Sequence, residues 1–256
     1  MKTGNFVDAF RVKIGAIFKD KVDSVIVVNI GSRLTLLHVE LKSAIAITAL
    51  KTIEFDVQKK NEAILNGLRD FIQENNIASK FVILSPCLSS LFIKRIQLPS
   101  VPDNELEEAI KWQLKEDVSF ELSEAILDYS VIKKTAKDDG SKVLDIMCAV
   151  ALEKDIRPQV MPLKQLGLAC LAVGLLPFGY EELIARYLKP EKEEAVAIIH
   201  LDDNICYFNI YVGHKMVFYR ELPITIDQLR FSLQGVLVSD KGRIELSPKE
   251  AEEVLF

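Results

Sequence analysis

Histidine is scarce in this chain. His38, His200 and His214 are the only three in 256 residues, and none stands at metal-ligand spacing from another histidine or from a cysteine. No metal site is expected. The four cysteines, Cys87, Cys148, Cys170 and Cys206, form no C-x-x-C pair, and each lies in an apolar stretch, as reduced core thiols do. No apolar run reaches the ~18–20 residues that span a bilayer, and the longest, Leu166 to Phe178, is interrupted by Gly167, Gly174 and Pro177. A secretory signal is also missing from the first residues, where Asp8, Arg11 and Lys13 break any continuous apolar stretch. Finally, there is no excess of one charge: 32 Lys+Arg against 37 Asp+Glu give a formal charge of -5, too little field to hold a polyanion. These absences predict a globular cytoplasmic protein that does not bind nucleic acid.

What is present is apolar. Hydrophobic residues make up 49% of the chain, enough for one substantial core or two modest ones. Residues 1–24 hold Phe6, Val7, Phe10, Ile14, Ile17 and Phe18 at helical spacing, with Lys2, Arg11, Lys13, Lys19 and Lys21 around them. This segment reads as an amphipathic helix packed on its own domain or on a partner, with peripheral contact to an anionic membrane as the alternative. From Val25 the pattern is strand, glycine-containing turn and strand, extended by a third β-rich run from Ala44 to Leu50. A helix over Asn61 to Glu74 and a short buried strand at Phe81 to Leu84 follow.

From Ser90 the pattern leaves this meander. A strand to Ile96 leads through a proline-bounded turn into a helix with Leu106, Ala109, Ile110 and Leu114 as its buried stripe, Asp103 placed to cap it, and Glu105, Glu107 and Glu108 in its first turn. The runs Ile126 to Lys133 and Val143 to Ala151 read as a strand pair around a polar loop. A helix from Lys154 to Gln165 then ends at Gly167, a strand covers Leu168 to Val173, and a helix covers Tyr180 to Leu188. Three further strands, Ala195 to Ile199, Cys206 to Val212 and Met216 to Glu221, make a second meander. The two meanders share one plan: VVNIGSRLTLLHV from Val27 and IIHLDDNICYFNI from Ile198 are both strand, short turn and strand, with Asn29 opposite His200.

A duplicated strand-turn-strand unit of this kind is similar to the phosphate-binding hairpins of the actin-like ATPase superfamily. The segment LPSVPDNELEEAIKWQLKEDVSF, Leu98 to Phe120, resembles more narrowly the PilM proteins of type IV pilus assembly. Leu127-Asp128-Tyr129, Leu166-Gly167-Leu168, Phe218-Tyr219-Arg220-Glu221 and the C-terminal LSPKEAEEVLF resemble that family in the same order. The resemblance implies an α/β, actin-like (ribonuclease H-like) two-lobed fold with an inserted small α/β subdomain. Residues 25–96 would form the first lobe and 97–165 the insertion, while 166–256 return to the first lobe and begin a second. The family chain usually runs further, so the second lobe is expected to be incomplete.

By the same resemblance, the cofactor positions are Asn29, Gly31, Ser32, His200 and Asp202. They are eroded. The family's Asp-Ile-Gly-Ser reads Asn29-Ile30-Gly31-Ser32, and the Asp and Gly of the second turn align with His200 and Asp202. No cofactor and no enzymatic activity are therefore expected, with ATP and Mg²⁺ in an actin-like switch as the alternative. The implied function is a cytoplasmic scaffold at the inner face of the inner membrane. It would bind the N-terminal tail of a PilN-like bitopic partner and other pilus platform proteins. The cytoplasmic domain of a type II secretion platform protein is the close alternative, and a divergent cell-division protein or sugar kinase a remoter one. Trp112 and Arg220 are the candidate partner-binding residues. Packing of Trp112 on its own subdomain is the plainer expectation, as is a hydrogen-bonded core His200, while for Arg220 a solvated strand-end charge and a carboxylate-binding one stand equal.

Overall fold

A computed structural model describes residues 22–42, 45–137, 140–202, 205–239, 242–247, 249–250 and 253. The amphipathic segment expected over residues 1–24 thus lies outside the described residues up to position 21, as does most of LSPKEAEEVLF. The chain divides into two units, residues 1–189 and 190–256.

The first unit opens with the expected meander, β1 (Ser24–Ile30), β2 (Leu34–Leu41) and β3 (Ile45–Ile53). Helix α1 (Lys60–Glu74) follows and returns the chain to β4 (Phe81–Ser85), which lies parallel to β1. After a long excursion, α3 (Glu153–Gln165) leads into β8 (Ala169–Val173), parallel to β4. The sheet order is therefore β3-β2-β1-β4-β8. Parallel neighbours cannot be joined by a hairpin, so the β4 to β8 connection must cross over, and the sequence places a whole second layer inside that crossover. Ile26, Val28 and Ile30 of β1 and Leu34 and Leu36 of β2 face Ile64, Leu68 and Phe71 of α1 and Ile156, Val160 and Leu163 of α3 in one core. Each such fully buried side chain contributes about 1.5–3 kcal/mol. Helix α3 ends as its sequence predicts: Gly167 takes φ +70, and the Leu168 N–H donates to the Leu163 carbonyl at 2.9 Å, which glycine allows without strain.

The excursion builds a smaller sheet, β5-β7-β6, from β5 (Phe92–Pro99), β6 (Ala125–Ala136) and β7 (Lys142–Leu152), with α2 (Leu106–Leu114) on one face. Leu144, Ile146, Cys148 and Val150 of the central strand meet Leu106, Ile110 and Leu114 of α2 in a second core. The small sheet runs from 92 to 152 rather than from 97 to 165, because β5 pairs with β7 and α3 packs into the first core. The cap differs as well. Asp103 lies in a turn closed by the Glu105 N–H and the Pro102 carbonyl, and Glu105 precedes the helix without a side-chain cap. On the far side of β7, Arg95 Nε donates to Asp145 Oδ1 at 2.7 Å, and a second guanidinium N–H donates to Oδ2. Asp145 is only 6% exposed, so this bidentate pair is what permits a carboxylate in the layer. The unit ends with α4 (Leu176–Leu183) and a π-helical turn, Ile184–Leu188.

The second unit repeats the opening plan in β9 (Ala195–Leu201), β10 (Cys206–Val212) and β11 (Lys215–Leu222), in the order β11-β10-β9. Helix α5 (Ile226–Leu233) and the hairpin β12 (Gly235–Ser239) and β13 (Gly242–Leu246) follow.

Two glycines make opposite predictions. Gly213, in the β10–β11 turn, has φ +58, and a Cβ there would stand 3.2 Å from the Lys192 carbonyl oxygen. Gly213→Ala should lower stability by about 1–2 kcal/mol. Gly179, inside α4, has a negative φ and open space around it, so Gly179→Ala should raise stability by up to about 1 kcal/mol. Urea unfolding of both variants checks the sign of each change.

Candidate functional site

In the first turn, Ile30 and Leu34 close the β1–β2 hairpin. The Gly31 N–H donates to the Arg33 carbonyl at 3.0 Å, so the turn uses one of the donors that a phosphate cradle would need. Ser32 is half-buried in the loop. Asn29 is exposed and lies between Thr35 of β2 and Ser85 of β4. Asn29, Gly31 and Ser32 thus stand together at one end of the five-stranded sheet, but they bring no negative charge for a metal.

The second turn has the same construction in its own unit. Leu201 pairs with Cys206, and the Asp202 N–H donates to the Ile205 carbonyl at 3.0 Å. His200 is half-buried and stacks on Tyr207, with ring centroids 4.5 Å apart and planes at 13°. Tyr219 continues the aromatic row at 5.6 Å from Tyr207. His200 Nε2 lies 4.0 Å from Asp202 Oδ2. Burial pushes the His200 imidazole below its ordinary pKa, and the nearby Asp202 carboxylate opposes that shift without reversing it. The histidine is therefore a stacked, half-buried side chain rather than a core one.

The two partner candidates lie in different units of the chain. Trp112 is 78% exposed, which corrects the expectation that it packs on its own subdomain. The reason is helical geometry: the stripe of Leu106, Ile110 and Leu114 turns inward, and a residue two positions from Ile110 and Leu114 faces away. Arg220 is exposed on β11, an outer strand of the second unit's sheet, and pairs across it with Phe208.

Sequence reading missed a groove in the first unit. It is lined by Gln58, Lys59, Lys60 and Glu62 at the start of α1 and by Asp155 and Gln159 of α3, and has a volume of about 500 Å³. Burial lowers the Lys60 pKa, while Cys87 and Asp155 pull the other way. Asp155 Oδ2 accepts from the Ser89 hydroxyl at 3.1 Å and from the Ser90 N–H at 3.2 Å. Gln159 is 4% exposed, and its Nε2 donates to the Cys87 and Asp155 carbonyls at 3.0 and 2.7 Å. Its Oε1 has no hydrogen-bond partner among the described residues. These residues mark the place where the chain leaves the large sheet for the small one and returns. No local motif announces such a meeting, because its members are separated by more than 60 residues. Elsewhere, burial pushes the Cys148 thiol up to about 12 and the Cys170 thiol to about 11, so neither is a thiolate nucleophile at neutral pH. No helix among the described residues is long and apolar enough to cross a membrane.

Comparison with known proteins places these features in a family context. The profile of the family described as type IV pilus assembly protein PilM matches residues 20–235. The solved structure of a PilM-PilN type IV pilus biogenesis complex superimposes with a TM-score of 0.72 at 20% identity, over 90% of this chain and 68% of that one. The cytoplasmic domain of EpsL, an inner-membrane component of the type II secretion system of Vibrio cholerae, gives a TM-score of 0.50 at 14% identity, over 85% and 76% of the two chains. No curated protein sequence matches the chain significantly. The fold is the actin-like one implied by the sequence.

The environment of His200 sets a pH dependence. The folded state holds the His200 proton less tightly than the unfolded chain, so the unfolded state takes up the proton first as pH falls below about 6.5. Stability present above that pH is lost as it drops through the folded-state value. Glu221, in the same cross-strand row, is raised by burial and acts in the opposite sense at lower pH. Comparing melting temperatures at pH 7.5 and 5.5 in the wild type and in His200→Gln isolates the histidine: the variant should lose less stability on acidification.

Proposed function

The chain belongs to the PilM family of type IV pilus assembly proteins, and from that premise we propose that it is a non-catalytic scaffold of the pilus platform. It binds the cytoplasmic N-terminal tail of a PilN-like bitopic partner, and through that partner it sits at the inner face of the inner membrane. The groove beside Lys60 and Gln159 carries this reading. An extended tail presents alternating N–H and carbonyl groups. A tail carbonyl or carboxylate meets the half-buried Lys60 ammonium at the start of α1. Burying that charge is costly, so a tail carboxylate seated beside Lys60 offsets the cost. The family match favours a pilus platform over the type II secretion platform whose component shares the fold.

The turns support a scaffold more than a nucleotide-dependent switch. Asn29 brings no charge to a metal, and Asp202 sets a carboxylate where a phosphate would lie. At about 4 Å and an effective dielectric near 20, such a like-charge contact costs on the order of 4 kcal/mol before screening. The first N–H of each turn is already committed to its own loop.

Two measurements test the proposal. Titration of the chain with a peptide of the partner's cytoplasmic tail should give binding that weakens at least about tenfold in Lys60→Glu, which is about 1.4 kcal/mol. It should be unchanged in Trp112→Ala, whereas loss in Trp112→Ala alone would move the tail to α2 and overturn the groove. Calorimetric titration with MgATP should give a dissociation constant no tighter than about 1 mM and no phosphate release. Low-micromolar binding would restore the nucleotide-switch reading.

A further inference from the structure

A π-helical turn at the end of α4 gathers exposed apolar side chains into one stripe. Along α4 and this turn Pro177 and Ile184 face inward, while Leu176, Leu183 and Tyr187, spaced by seven and then four residues, fall on one outward line. Tyr180, half-buried, borders the same line. In a regular α-helix Leu188 would stand about 140° round from Leu183. Here the Lys189 N–H donates to the Ile184 carbonyl at 2.9 Å. That five-residue step widens the turn and brings residues five apart nearly into line, so Leu188 joins the stripe. Leu176, Leu183, Tyr187 and Leu188 are 43%, 50%, 77% and 62% exposed. A contiguous run of large apolar side chains open to solvent marks a binding surface.

The charges beside the stripe select the partner. Glu182 and Arg186 lie one turn apart along one flank, and Arg186 Nε donates to Glu182 Oε1 at 2.5 Å. Both side chains are exposed, so this pair contributes little to the fold of its own helix. Its order is what matters: the acid is nearer the N-terminal end and the base nearer the C-terminal end. When two copies of the segment lie antiparallel about a two-fold axis, the same flank of each faces the same side, and each Glu182 comes beside the Arg186 of the other copy. In a parallel pair, like charges stand at the same height and on opposite flanks, and no such match forms. The axis that aligns the charges passes close to Leu183. It sets the two Leu183 side chains against each other and places Tyr187 and Leu188 of each copy over Gly179 and Tyr180 of the other. Gly179 has open space where a side chain would stand, which leaves a hollow for the exposed ring.

We propose that α4 and its π-helical turn form a docking surface for a second copy of this chain, the two segments lying antiparallel about a two-fold axis near Leu183. The helical run from 176 to 188 is about 20 Å long. A single helix pair of that length lies at the small end of protein interfaces, below about 1,200 Å² in total, so the dimer is a micromolar one. The pairing does not depend on what occupies the groove beside Lys60.

Sedimentation equilibrium of the full chain, from low to high micromolar concentration, tests it. The expected result is a monomer–dimer equilibrium that weakens at least about tenfold in Leu183→Glu and in Arg186→Glu. The Glu182→Arg, Arg186→Glu double variant should restore it, because exchanging both charges keeps the match between copies. These side chains are exposed, and unchanged circular dichroism and melting temperature check that each variant is folded. Cysteine placement reads the direction of the pair. Leu183→Cys should give a disulfide-linked dimer on mild oxidation, since the two positions meet near the axis. Leu176→Cys should give no more than the wild-type background, because its two copies stand about 25 Å apart along the helices, well beyond the reach of a disulfide. A monomer at every concentration, a dimer indifferent to Leu183→Glu and Arg186→Glu, or equal crosslinking at both positions would each overturn the proposal.

Discussion

The first unit depends on one knot of hydrogen bonds, where the chain leaves the large sheet after β4 and returns to it through α3. β8 must lie parallel to β4, so the chain has to go out and come back, and both passages occur at the same end of the sheet. The outgoing strand is held by the Asp155 carboxylate, which accepts from Ser89 and Ser90, and by the Gln159 amide, which donates to the Cys87 carbonyl. The returning strand is tied to the outgoing one by the Leu152 N–H, which donates to Ser90 Oγ at 2.9 Å. These side chains satisfy backbone groups that neither sheet can pair. They also make the small sheet an extension of a rigid frame instead of a loop, and the groove at the start of α1 follows from that frame: its walls are the two helices that the knot holds.

Local patterns in the sequence account for much of this fold. The alternation in Val25 to Leu41 and in Cys206 to Val212 is strong because each strand buries one face, and both meanders are found where the patterning places them. The stripe of Leu106, Ile110 and Leu114 is equally clear. What local patterns hide is pairing between distant segments. β5 reads as a strand in the sequence, but only its register with β7 shows that it belongs to the small sheet, and only the first core shows that α3 does not. A bulge in β3 at Thr48, which is skipped between the pairs His38↔Ala49 and Val39↔Ile47, is invisible for the same reason, since an extra residue in β3 exists only relative to β2.

The candidate site was legible in part. Asn29, Gly31, Ser32, His200 and Asp202 do lie at the turns of the two meanders, because a strand-turn-strand repeat is a local feature. Trp112 was misread as packed because a composition-based view weighs an aromatic ring as core, whereas its angular position on α2 decides the matter. Lys60, Asp155 and Gln159 carry no motif. A glutamine in a helix gives no hint that its amide is buried beneath a cysteine carbonyl from a segment 72 residues away.

The two meanders share a plan and differ in what they do with it. In the first, β1 and β2 spend their inward positions on Ile26, Val28, Ile30, Leu34 and Leu36, and helices cover them, so the hairpin is a piece of core with a short polar tip. In the second, His200 of β9 stacks on Tyr207 of β10, Tyr219 of β11 lies tilted beside that tyrosine, and Asp202 stands at the tip. Aromatic stacking and burial stabilise that row without any bound group. A hairpin that must cradle a phosphate turns open backbone N–H groups toward it and keeps any carboxylate where a metal ion can neutralise it. The second tip of this chain carries a carboxylate and places it beside the one imidazole of the row, whose pKa burial lowers. The aromatic row of the second hairpin is therefore held by its own packing and electrostatics.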